Sequence, residues 1–158
     1  GNIGEIVCKT PLIFSGYLNK KKETRLSFYK NYFKTGDMGY LDKDNYLYYT
    51  SRKKNIIIVG GINVYPEDIE RILKKNNQVR DCSVFGIISK TLGEQIVVAI
   101  VKNKKELDER RLRKYSLKNL ADYQQPHYYF PISILPVNSL GKIDKNKLIN
   151  SFLEKKEI

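Results

Sequence analysis

Three short segments of the chain hold the residues whose types could do chemistry. They contain Asp37, then Arg52 with the pair Gly60-Gly61, and finally Lys142. A carboxylate offers two acceptor oxygens, a guanidinium offers a planar fork of donors, and a lysine places a compact ammonium on a long stem. Paired glycines allow a tight turn or a close approach to the backbone. Taken singly, each residue also has an ordinary explanation, as a turn aspartate, a strand-end cation or one surface lysine among 22.

The cysteines and the histidine indicate neither a metal site nor a nucleophile. Cys8 and Cys82 lie far apart, and neither has the spacing of a Cys-x-x-Cys or Cys/His site. We expect two reduced, half-buried thiols. His127 has no second imidazole with which to share a metal, so we interpret it as a loop residue and predict no metal site.

Hydrophobic periodicity predicts the elements that must position the candidate residues. Near the N-terminus we predict a strand over 4–9 and a hairpin over 38–50, turned at Asp42–Asn45. From residue 56 the pattern predicts β-α-β-β-α-β-α, which is an α+β domain. Its strands are 56–59, 81–88, 95–102 and 128–135, and its helices are 66–75, 108–120 and 144–153. Asp108 is the expected N-cap of the second helix, and Pro131 makes the last strand an edge strand.

The polar run at 51–55 separates two β-prone segments, so we place a domain boundary or hinge there. It divides the chain into residues 1–53, which are rich in strands, and a small α+β domain over 54–158.

The three segments, taken together, closely resemble part of a known family. They are Lys34-Thr35-Gly36-Asp37, the run SRKKNIIIVGGINVYPEDIE from Ser51, and the run LPVNSLGKID from Leu135. In this order and at this spacing they resemble the C-terminal part of the acyl-CoA synthetase and adenylate-forming enzyme superfamily. The resemblance begins with the lead-in at Gly4 and covers nearly the whole chain.

The resemblance implies a two-step ligase reaction. A carboxylic acid attacks the α-phosphate of ATP to give an acyl-adenylate and pyrophosphate, and a thiol, usually coenzyme A, then displaces AMP. The resemblance gives Asp37 the two ribose hydroxyls of the nucleotide, Arg52 the ribose or phosphate, and Lys142 a catalytic bridge between the acid's carboxylate and the α-phosphate. Mg²⁺ would be bound mainly by a large N-terminal domain.

The resemblance also implies which residues form the hinge and the thiol channel. Lys54 occupies the hinge position, about which the small domain rotates between the two half-reactions. Gly60 and Gly61 line the pantetheine channel, and Asn63 and Tyr123 are further candidates for the same surface.

Four positions depart from the family pattern. Ser51 stands where a glycine is usual before the arginine. Gln125 stands where many members have a basic residue, so a contact with a coenzyme A phosphate would be weaker and the acceptor thiol is open. Asn138 replaces a common threonine, and Lys145 replaces a common arginine.

The family's glycine-rich phosphate loop and its acyl pocket are absent from this sequence, since both belong to the large N-terminal domain. We therefore expect residues 1–53 to be the tail of that large domain and 54–158 to be the mobile small domain. The large domain would be the main partner, and the isolated chain should not adenylate an acid.

Two rival interpretations stay open, one because the phosphate loop is missing and the other because the chain is basic. The net charge is +12, with 41% hydrophobic residues and no apolar run long enough to cross a bilayer. We expect a cytoplasmic protein without a membrane span. One rival is a stand-alone binding module of the same fold that acts with a partner chain. The other is a nucleic-acid binder, which the dispersed lysines disfavour.

Overall fold

A computed structural model describes residues 1–89, 91, 93–103 and 106–156. The chain divides into two compact units, Gly1–Lys54 and a second that begins at Asn55. A single 3-10 turn, Lys53–Asn55, contains the division.

The first unit is a small antiparallel sheet with one short helix. Its elements are β1 (Gly4–Cys8), α1 (Lys21–Leu26), β2 (Phe28–Tyr29), β3 (Tyr32–Leu41) and β4 (Leu47–Arg52). The long strand β3 pairs with each of the other three strands. The predicted strand at the N-terminus and the predicted hairpin are confirmed as β1 and as β3–β4.

The hairpin turn forms because its side chains satisfy the backbone locally. Asp42 Oδ1 accepts hydrogen bonds from the backbone N–H groups of Asp44 and Tyr46, both at 2.9 Å. Asn45 adopts a φ of 63°, a left-handed conformation that asparagine tolerates. The helix α1 was not predicted, because its six residues bury no apolar stripe that a periodic pattern could reveal.

The described part of the second unit contains five strands and three α-helices. They are β5 (Ile57–Val59), β6 (Ile62–Val64), α2 (Pro66–Leu73), β7 (Val79–Ser89), β8 (Gly93–Lys102), α3 (Glu109–Asn119), β9 (Tyr128–Ile132) and α4 (Lys145–Lys156). The sheet order is β6-β5-β8-β7, and β9 pairs with β8 in parallel. The predicted α+β class is confirmed, but the predicted order lacks β6. Two glycines interrupt that apolar run, and each three-residue strand is too short to show alternation.

Helices cover both faces of this sheet. Alternate residues of β8 face opposite ways, so Ile96, Val98 and Ile100 pack in one apolar cluster with α2 and α3. Val97 and Ala99 pack in the other cluster with α4. Burial on both faces explains why β7 and β8 have nearly continuous apolar sequences.

Several local predictions are confirmed in this unit. Asp108 caps α3, because its Oδ1 accepts a hydrogen bond from the backbone N–H of Arg111 at 2.9 Å. Strand β9, which contains Pro131, pairs only with β8 in the described part of the chain. One expectation is wrong: Cys82 is fully buried rather than half-buried, because it faces the cluster beneath α2.

Candidate functional site

Asp37 lies in a bulge of strand β3 rather than in the polar turn that the sequence suggested. Strand β1 pairs Glu5 with Met38 and Val7 with Lys34, so β3 carries extra residues between these two pairs. Gly36 makes this possible with a φ of 73°, a left-handed conformation that a side chain would strain. The bulge removes the segment around Asp37 from regular pairing with β1.

The side-chain hydroxyl of Thr35 stabilises the bulge by hydrogen bonding. Its hydroxyl donates to the carbonyl oxygen of Ile6 at 2.7 Å and accepts from the backbone N–H of Asp37 at 3.0 Å. Sequence reasoning missed this supporting role, although a threonine followed by glycine and aspartate is consistent with a local side-chain-to-backbone bond.

Arg52 lies opposite Asp37 on the neighbouring strand β4 and pairs with it. The two residues are register partners, and Arg52 Nε lies 2.9 Å from Asp37 Oδ1. Arg52 Nη1 also donates to the carbonyl oxygen of Thr35 at 2.8 Å. Within Gly1–Lys54 the second carboxylate oxygen of Asp37 has no partner, and the side chain is 30% exposed. The structure therefore brings these two predicted residues together with acceptor and donor capacity to spare.

Lys142 lies on a closed loop in the second unit. Val137 and Ile143 form a bridge at its base, and Asn138 organises the tip. Asn138 Oδ1 accepts from the backbone N–H groups of Leu140 at 2.9 Å and Lys142 at 3.0 Å. Lys142 is exposed, and among the described residues its ammonium has no partner.

This loop leads directly into α4. Asp144 donates its backbone N–H to the carbonyl oxygen of Pro136 at 2.8 Å, and its Oδ1 accepts from the backbone N–H of Lys147 at 3.1 Å. The loop is thus closed at its exit, and Asp144 caps the helix. Asn138, noted in the sequence only as a departure from the family pattern, is the residue that shapes the loop around Lys142.

Gly60 and Gly61 form the turn of the β5–β6 hairpin. Their φ values are 56° and 83°, so the turn requires glycine. A β-carbon at either position would meet no atom within 4 Å, so the turn's outer surface is open. The exposed Asn63 lies on β6, and β6 contacts the 3-10 turn Asp122–Gln124 that carries Tyr123. The structure places these four predicted residues in one region of the second unit.

Gln125 is used inside the protein. Its Nε2 donates to the carbonyl oxygen of Leu120 at 2.8 Å and to that of Ser116 at 3.2 Å, at the C-terminal end of α3. An amide engaged in this way is not available to a phosphate, because breaking these bonds would leave backbone carbonyls unsatisfied.

His127 also has a structural task, and it lies in the bend before β9 as predicted. Its Nδ1 accepts a hydrogen bond from the backbone N–H of Ile96 at 3.0 Å, and the backbone N–H of His127 donates to the carbonyl oxygen of Ile96 at 2.9 Å. Burial lowers the pKa of this imidazole, which favours the neutral form that can accept the bond.

The described residues contain no group of three or more His, Cys, Asp or Glu side chains that could hold a metal ion. No helix in the described part of the chain has the length and apolar character needed to cross a membrane.

Known proteins match this chain along nearly its full length. Residues 68–142 match the family described as the AMP-binding enzyme C-terminal domain. The 2-succinylbenzoate–CoA ligase of Listeria monocytogenes is 39% identical over 145 residues, which are 92% of this chain and 31% of the ligase. The long-chain-fatty-acid–CoA ligase of Bacillus subtilis is 34% identical over 156 residues, or 98% of this chain and 28% of that protein.

A solved structure also matches this chain along nearly its full length. The o-succinylbenzoate CoA synthetase of Bacillus subtilis, in complex with its acyl-adenylate intermediate, is 33% identical with a TM-score of 0.84. The match covers 93% of this chain and 30% of that one. The chain thus spans less than a third of the length of these relatives.

Proposed function

Since residues 68–142 carry the AMP-binding enzyme C-terminal domain, we propose that this chain is the C-terminal portion of an ATP-dependent acyl- or aryl-CoA ligase. One observation carries the proposal: Lys142, within that domain, is exposed, its ammonium has no partner among the described residues, and its loop has a backbone closed by hydrogen bonds. A loop with a fixed backbone and an exposed ammonium is what a lysine that reaches a ligand requires.

The first unit supports a place in a larger protein. None of the large apolar side chains in Gly1–Lys54 is fully buried, and Leu12 and Leu18 are 92% and 87% exposed. Exposed apolar surface of this kind is typical of a surface that another polypeptide covers. A preceding large domain fits this feature better than a stand-alone binding module does.

The nucleotide would bind at the Asp37 bulge. The free carboxylate oxygen of Asp37 and the oxygen that it shares with Arg52 can each accept a ribose hydroxyl. Arg52 keeps donor capacity for the ribose or the phosphate. Mg²⁺, when bound by the large domain and the phosphates, supplies charge neutralisation at the phosphoryl group.

Lys142 would act in the first half-reaction. The acid's carboxylate attacks the α-phosphate of ATP, forming the acyl-adenylate and releasing pyrophosphate. Negative charge from both reactants accumulates at this point, and an ammonium on a long stem can reach between them. The thiol then attacks the acyl carbon, and AMP leaves.

The second half-reaction would use the hairpin turn of β5 and β6. The open surface over Gly60 and Gly61, beside Asn63 and Tyr123, has room for a thin pantetheine arm. Lys54 is exposed in the turn at the division between the units, where a hinge would lie. Gln125 is a neutral amide engaged with the end of α3, so a cation elsewhere would have to bind the phosphates of coenzyme A. Gln125 therefore does not determine which thiol is the acceptor.

The experiment that tests the proposal measures acid-dependent ATP–pyrophosphate exchange. The full-length protein from the source cell, located with an antibody against this chain, should be several times 18.4 kDa and active with a panel of aliphatic and aromatic acids. The 158-residue chain alone should show no exchange. A native protein of 18.4 kDa, or exchange by the isolated chain, would contradict the proposal. We propose a cytoplasmic location, where ATP and coenzyme A are both available.

A further inference from the structure

The first turn of α4 contains a charge that ordinary helix electrostatics disfavours. Lys145 is the first residue of the helix, and the first turn holds no acid. A helix N-terminus carries partial positive charge, so a cation there is unfavourable unless another interaction offsets it. A residue that is disfavoured locally but retained in the fold is expected to have a function, with stabilising contacts from the surrounding structure.

The Lys145 side chain is partly buried and reaches across to strand β7. Its Nζ donates to the carbonyl oxygen of Val84 at 2.9 Å. On the same residue, the backbone N–H of Val84 donates to Glu70 Oε1 at 2.7 Å. Helices α2 and α4 are therefore both fastened to one residue of β7, each through a charged side chain.

Two carboxylates of α2 partly offset the cost of burying this cation. Burial lowers the pKa of Lys145, whereas Glu70 and Glu67 raise it. The Oε2 atom of Glu67 is buried, and the described residues give it no hydrogen-bond partner. A buried cation with carboxylates nearby is costly to remove, because the acids then lose their counter-charge.

We propose that Lys145 is a positioning residue for Lys142. Only Ile143 and Asp144 separate the two lysines, and Asp144 both closes the loop onto Pro136 and caps α4. Fixing the first residue of α4 on β7 therefore fixes the exit of the loop that carries Lys142. The catalytic meaning of this contact rests on the proposed function, but the mechanical coupling does not.

Hydrogen exchange of the 158-residue chain tests the coupling directly. Lys145→Met keeps the side chain's length and removes its charge and donor. We expect amides of the loop over 137–144 to exchange about tenfold faster or more, as loss of a bond from a charged donor implies. Amides of β7 and β8 should keep their protection. Lys147→Met is the matched control, since Lys147 lies on the same helix and its ion pair with Asp144 is long at 3.9 Å.

Unchanged exchange in the loop would overturn the proposal. If Lys145→Met lost protection throughout β7 and β8, Lys145→Gln would replace it, because its amide stays polar but is one atom too short to keep the 2.9 Å bond to Val84. Faster loop exchange in that variant with an intact sheet supports the coupling, and equal exchange overturns it.

The full-length protein gives the catalytic readout. Lys145→Met should lower kcat of acid-dependent ATP–pyrophosphate exchange with KM for ATP unchanged, and Lys145→Arg should restore it. A fall in which KM alone changes, or no rescue by arginine, would contradict a positioning role. Absence of exchange in the unmodified full-length protein would refute the proposed function, whereas the loop measurement would still decide the coupling.

Discussion

The Asp37–Arg52 pair permits a prediction in which two effects of one substitution separate cleanly. Asp37→Asn keeps the shape of the side chain and removes its charge. Both partners are partly exposed, with side-chain exposures of 46% for Arg52 and 30% for Asp37. An ion pair of this kind contributes only about 0.2–1 kcal/mol to folding, so the thermal unfolding temperature should change little.

The effect on nucleotide binding should be much larger. A carboxylate can accept from both ribose hydroxyls, whereas an amide has one acceptor oxygen and faces the second hydroxyl with a donor. Losing one charged hydrogen bond and weakening the other should cost about 2–3 kcal/mol. The corresponding loss of ATP affinity is about 30-fold to 150-fold.

The assay is the KM for ATP in acid-dependent pyrophosphate exchange by the full-length protein, with AMP binding by calorimetry as a second measurement. Asp44→Asn is the matched control, because Asp44 is an exposed aspartate of the same unit, in the β3–β4 turn. Equal KM values for the two variants would refute the assignment of Asp37 to the ribose.

Three further predictions concern the buried side chains Phe152 and Cys82 of the second unit. Phe152→Ala should destabilise this unit by about 3–5 kcal/mol in chemical unfolding, because Phe152 is 7% exposed and contacts three aromatic rings. The control Leu153→Ala, at a 42% exposed position, should cost well under half as much. Equal losses of unfolding free energy would show that the apolar cluster under α4 is misassigned. Burial raises the pKa of the Cys82 thiol to about 12, so at pH 8 iodoacetamide should modify Cys8 and spare Cys82 until the chain unfolds. Since the unfolded thiol ionises near pH 9 and the folded one does not, Cys82 should also lower the free energy of unfolding as pH rises from about 9 to about 12. Rapid alkylation of Cys82 in the folded chain would contradict both statements.

Elements with strong local signals were predictable from the sequence. Helix α2 has proline at its first position and acids in its first turn, and α3 has Asp108 as a capping residue that the structure confirms. The β3–β4 hairpin follows from the turn chemistry of Asp42 and Asn45. In each case the determining interaction lies within a few residues along the chain.

Features that depend on distant residues were not predictable. The bulge at Asp37 depends on register with β1, about 30 residues earlier, and a contact over 61 residues joins Lys145 to Val84. Cys82 was misjudged because its burial is set by the packing of α2 on the sheet. Strand β6 was missed because tertiary pairing with β5, rather than local periodicity, defines it.

The candidate site divides in the same way. The residue types and their order were readable, since the resemblance selects Asp37, Arg52 and Lys142. The supports of these residues were not, because Thr35, Asn138 and Lys145 act through side-chain bonds to backbone that a single sequence does not display.

The central claim is that Lys142 serves the first half-reaction of a ligase and not the second. The most direct test substitutes Lys142→Ala in the full-length protein, with Lys147→Ala as control, and measures the two half-reactions separately. We predict that acid-dependent ATP–pyrophosphate exchange falls by about a hundredfold to a thousandfold, as for other single groups that stabilise transition-state charge. Thioester formation from supplied acyl-adenylate and coenzyme A should keep its unmodified rate. An equal loss of both half-reactions, or exchange at the unmodified rate, would contradict the account.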